Sequence, residues 1–117
     1  MTNTVEAEEF RLLDSEGRLR ARLGFDGASS VSLQIHDIAG GAPRVDISVD
    51  AIGCHVLLAN PARQQTYLFL KDSGATGLVL TDVVHERRAH FMLSPDGRVE
   101  VSVAGTAGAT GSGSGTT

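Results

Sequence analysis

The chain has no Trp, one Tyr, one Cys and one Lys, and each scarcity narrows what it can be. Cys54 has no second cysteine to pair with, so no disulfide can staple the fold. With four Phe and a single Tyr, apolar packing must come from Val, Leu, Ile and Ala. That composition suits strands better than an aromatic-lined ligand pocket. Lys71 is the only Lys among ten basic residues, and the net charge is -4. No positive excess is left to neutralise phosphates, so nucleic acid is not an expected partner.

No apolar run approaches the ~20 residues of a spanning helix, and no membrane partner is expected. The start, "MTNTVEAEEF", is acidic where a signal peptide is basic and lacks an apolar stretch. The expectation is a soluble protein, cytoplasmic by default. A glycine-rich phosphate cradle, a serine elbow, a paired-carboxylate motif and a CxxC are also missing. Neither catalysis nor a cofactor is expected.

What is present is a pattern. Asp14, Asp37, Asn60 and Asp82 are spaced by 23, 23 and 22 residues. An apolar stretch stands before each of them ("FRLLD", "VSLQIHD", "HVLLAN", "LVLTD"), and a second follows ("LRARLGF", "RVDISV", "TYLFLK", "AHFMLS"). Four units of strand, turn, strand and turn predict an all-β domain. It is expected to be an antiparallel meander of about nine short strands, built from four ~23-residue hairpin repeats, sandwich or barrel-like in form. A β-solenoid with one coil per unit is the rival, and the tight "SPDGR" turn opposes it. In 117 residues one domain is expected. The boundaries are a flexible segment 1–6, a hairpin domain 7–103 and a flexible Gly/Ser/Thr/Ala tail 104–117. Only residues 5–9 could make a helical turn.

Val31, Leu33 and Ile35 alternate with Ser32, Gln34 and His36, and the early units therefore predict one dry and one wet face. In the later units both faces are apolar, with Leu68 and Leu70 on one side and Tyr67 and Phe69 on the other. A sheet with two dry faces is covered on both. The expected partner is a second copy of the chain, or another protein, with the interface on the outer face of residues 54–93. Leu68, Phe69, Leu70, Val79, Phe91 and Leu93 are the candidate contacts. This predicts a self-associating structural or interaction module, such as a scaffold, shell, fibre or adaptor subunit. The alternative is a small closed barrel holding an apolar small molecule.

The chemistry-bearing residues are few. Arg18, Arg20 and Arg22 form a polar stripe that could hold a carboxylate, a sugar acid or the acidic start of a neighbouring copy (Glu6, Glu8, Glu9). The plainer expectation is a solvated strand face. His36 with Asp37, Cys54 with His55, and His85, Glu86 and His90 are the candidates for a metal or nucleophile. Adjacent strand residues point to opposite faces, so no metal site is expected, and Cys54 is expected to be a small buried thiol.

Overall fold

The computed structural model describes residues 2–38 and 41–105. Nine strands form over them: β1 (Glu9–Leu13), β2 (Leu19–Phe25), β3 (Val31–His36), β4 (Pro43–Val49), β5 (Gly53–Ala59), β6 (Gln64–Lys71), β7 (Thr76–Asp82), β8 (Arg87–Leu93) and β9 (Val99–Ala104). They lie side by side in chain order in one sheet, each antiparallel to the next. The expected all-β meander is the fold. The sheet is open, because β1 and β9 do not pair with each other. Among the described residues it forms neither a barrel nor a second layer, and hairpin pairing replaces the coils of a solenoid. Residues 2–7 carry no helix or strand, and Glu9 enters β1 rather than a helical turn. The tail beyond Gly105 lies outside the described residues.

Local chemistry explains the hairpins. In four of them the first loop residue donates its N–H to the carbonyl of the fifth, and the fourth donates back to the first. The loops are Asp14–Arg18, Asn60–Gln64, Lys71–Ala75 and Ser94–Arg98. The fourth residue sits at positive φ, where glycine is favoured: Gly17 (80°), Gly74 (99°) and Gly97 (92°), with Arg63 (67°) the exception. Asp14 and Asn60 also accept the N–H of the fifth residue on a side-chain oxygen, which sharpens the end of each strand. Asp82 does related work in the β7–β8 turn, accepting from the backbone of Val84 and His85.

Among the described residues no hydrophobic side chain is buried. Ser32, at 1% exposure, is the sole polar residue fully covered. A sheet normally hides one face against a second layer, and the described residues supply none.

Candidate functional site

The pairing register sorts the strand residues onto two faces, since residues directly opposite in a ladder point the same way. On one face a middle row runs Phe10, Leu23, Leu33, Ile47 and Val56 across β1 to β5. It continues through Leu68, Leu78, Phe91 and Val101 to β9. One flanking row runs Leu12, Ala21, Ile35, Val45, Leu58, Thr66, Leu80, Ala89 and Val103. The other begins at β2 and runs Phe25, Val31, Val49, Cys54, Leu70, Thr76, Leu93 and Val99. None of these positions carries a charge.

This face is also the uncovered one. Of the 24 large hydrophobic residues that are exposed, 18 belong to the three rows. The others lie in the N-terminal segment, at the bulge beside Leu13 or in turns. Leu68 is 49% exposed and Phe91 53%. At ~4.8 Å between strands and ~3.4 Å per residue the rows cover roughly 40 by 20 Å, about 800 Å². A monomer's largest apolar patch is usually about 300–600 Å².

The opposite face is largely polar and many of its side chains bond one another, although Arg20 Nε, His36 Nε2 and His90 Nε2 are buried on it without a hydrogen-bond partner. Arg22 donates to Glu9 and Asp26 and to the carbonyl of Phe25, and Ser32 donates to Asp26. Gln34 bonds Asp46 across β3 and β4. Farther along, His55 bridges Asp50 (3.2 Å) and the Tyr67 hydroxyl (2.6 Å). The Tyr67 and Phe69 rings stack at 5.5 Å, with Lys71 Nζ 5.6 Å from the Phe69 ring centre. Phe69 also lies over Gly77, where a Cβ would meet its ring at 3.1 Å. Backbone N–H groups of Ile52 and Gly53, followed by His55, hold the Asp50 carboxyl below the usual range. Burial, aided by the Asp50 charge, raises the Tyr67 phenol. The phenol therefore stays protonated and serves as a structural hydrogen-bonding group.

No family model, curated protein or solved structure matches this chain.

The six candidate contacts divide between the faces. Leu68, Leu70, Phe91 and Leu93 stand on the apolar face, whereas Phe69 and Val79 stand on the polar one, half-buried among its side chains. Cys54 is a correction: it is exposed on the apolar face, because nothing among the described residues covers it. Its neighbour His55 points the other way and cannot act as its base. The arginine stripe is not a unit either. Arg18 precedes β2 and pairs with Asp14 and Glu16, Arg20 is half-buried within β2, and Arg22 is held by Glu9 and Asp26. Glu9 thus meets the stripe within its own chain. His36 Nδ1 lies 2.9 Å from the Gly41 carbonyl, and Asp37 pairs with Arg44. His85 sits in the β7–β8 turn beside Asp82, and His90 lies in β8, 3.5 Å from Glu100. Among the described residues no three His, Cys, Asp or Glu side chains converge as metal ligands.

Reading residues 54–93 alone missed the early half of the apolar face. The signal was available: the alternating Val31, Leu33 and Ile35 fall in register with Val49, Ile47 and Val45.

Proposed function

We infer that the protein is a self-associating structural module whose apolar face is buried on assembly. One observation carries this reading: three uncharged rows cross all or nearly all of a nine-stranded sheet that, among the described residues, has no second layer and no buried hydrophobic side chain. Burying one large aliphatic side chain contributes about 1.5–3 kcal/mol, and a chain without a core forgoes that gain almost everywhere. Association supplies the missing layer. The available ~800 Å² per copy equals the contribution of one partner to a standard stable interface. The polar face, laced by its own hydrogen bonds, remains toward water and makes the assembly soluble.

Sedimentation equilibrium of the chain, with and without Leu70→Glu, tests this. The reading expects an oligomer that dissociates when the charge is introduced. A folded wild-type monomer at micromolar concentration removes it.

A further inference from the structure

We propose that the partner on the apolar face is a second copy of this chain, packed face to face about a two-fold axis that runs across the strands along the middle row. This rests on the assembly reading above and adds its symmetry. From β5 to β8 the two flanking rows are complementary in size, strand by strand. Small Thr66 stands at one end of β6 and Leu70 at the other; Leu58 and Cys54 do the same in β5, Leu80 and Thr76 in β7, Ala89 and Leu93 in β8. Across β5 to β8 large and small also alternate from strand to strand in each row, out of phase with each other, whereas β4 and β9 carry Val at both ends. The result is a checkerboard.

A two-fold axis along the middle row lays each strand antiparallel on its own copy and exchanges the flanking rows. Thr66 of one copy then lies under Leu70 of the other, and Leu70 over Thr66, as an isologous interface requires. Layers ~10 Å apart interdigitate when bulk on one meets space on the other. The match is closest in β5, β6 and β7 near the middle of the sheet, where the twist of the layers separates facing residues least. A hollow of about 690 Å³ lies at this end of the sheet, bounded by Leu58, Thr66, Leu80, Ala89 and Val103 of the flanking row and, beyond them, by polar side chains that include the Asp82–Arg87 ion pair; its apolar side marks where the small Thr66 and Ala89 leave space. Leu70 and Leu93 of the second copy enter that apolar side.

The other in-plane axis, parallel to β5, has no such match. It lays Cys54 on Cys54, Leu58 on Leu58, Ala89 on Ala21 and Leu93 on Phe25. Like meets like, leaving voids in some places and overlap in others.

A size-exchange cycle on the full chain tests this. Thr66→Leu and Leu70→Thr are made singly and together, with the dimer dissociation constant read by sedimentation and folding by circular dichroism. Within one chain the two positions are four residues apart on a strand, about 13 Å, so their effects there are additive. Across the proposed axis they touch. Each single variant is expected to weaken the dimer at least tenfold, and the double variant to recover at least tenfold relative to the product of the two losses. If a single variant does not fold, recovery of a folded dimer in the double variant is the same readout. The parallel cycle, Ala89→Leu with Leu93→Ala, is expected to behave alike. A wild-type dimer in which both double variants show only the multiplied losses overturns this symmetry while the assembly reading stands. A folded wild-type monomer overturns both.

Discussion

Leu68→Glu separates an interfacial face from a wetted one. Leu68 occupies the middle row on β6, between Val56 and Leu78, and is 49% exposed in the single chain. Were the face wet, this would be a surface substitution, changing stability by about 0.5 kcal/mol and leaving the mass unaltered. In a face-to-face pair each copy loses the burial of one leucine, about 1.5–3 kcal/mol. Each also confines a carboxylate without a partner, at a further cost of several kcal/mol. Two sites per dimer bring the loss above about 5 kcal/mol, or more than a thousandfold in dissociation constant. Sedimentation equilibrium reads the mass, and far-UV circular dichroism reads the fold. Gln65→Glu is the control: it adds the same charge to the same strand, at an exposed site on the polar side, and should leave the mass unchanged. A folded Leu68→Glu protein with the wild-type oligomeric mass refutes the reasoning.

Three further outcomes follow from local geometry. A Cβ on Gly53 would stand 2.3 Å from the Leu70 carbonyl oxygen and 2.6 Å from Lys71 Cα, forcing β5 from β6. Gly53→Ala should therefore lower stability by roughly 1–3 kcal/mol, seen as a lower thermal midpoint, and an unchanged midpoint contradicts the close approach. Arg63 holds φ 67° where the three matching hairpins use glycine, so Arg63→Gly should raise stability by about 1 kcal/mol; a fall in the denaturant midpoint contradicts this. Hydrogen bonds from Gln64, then Arg87 and His85, hold the Asp82 carboxyl well below its ordinary range. Its stabilising contribution is complete above about pH 4 and is lost as pH falls through the lower folded value. Asp82→Asn should flatten that acid-side loss in a pH series of thermal midpoints, and an identical slope contradicts the assignment.

Much of the fold was legible because hairpins are local. Asp14, Asn60 and Asp82 announce their turns by side chains that bond the adjacent backbone, and period-two alternation marks the strands between them. What could not be read from alternation alone was how the strands align. A one-residue slip exchanges the two faces of a strand, so only the pairing of Leu33 with Ile47, and of Ile47 with Val56, joins the early strands to the later ones. The same limit explains Phe69 and Val79. They are as apolar as Leu68 but stand on the other face, where Phe69 covers Gly77. Cys54 was misplaced for a different reason: a small thiol at a strand entrance was expected to be buried, and nothing among the described residues covers the face on which it stands.

Coupling between folding and association is tested most directly by the thermal midpoint of the wild-type chain, measured by far-UV circular dichroism from about 1 to 100 μM. A hundredfold change in concentration shifts the balance by about 2.7 kcal/mol. For a dimer of this size the midpoint should rise by roughly 5–10 °C, with the oligomeric mass present before the transition. A midpoint that does not move with concentration, in a protein sedimenting as a monomer, contradicts the account.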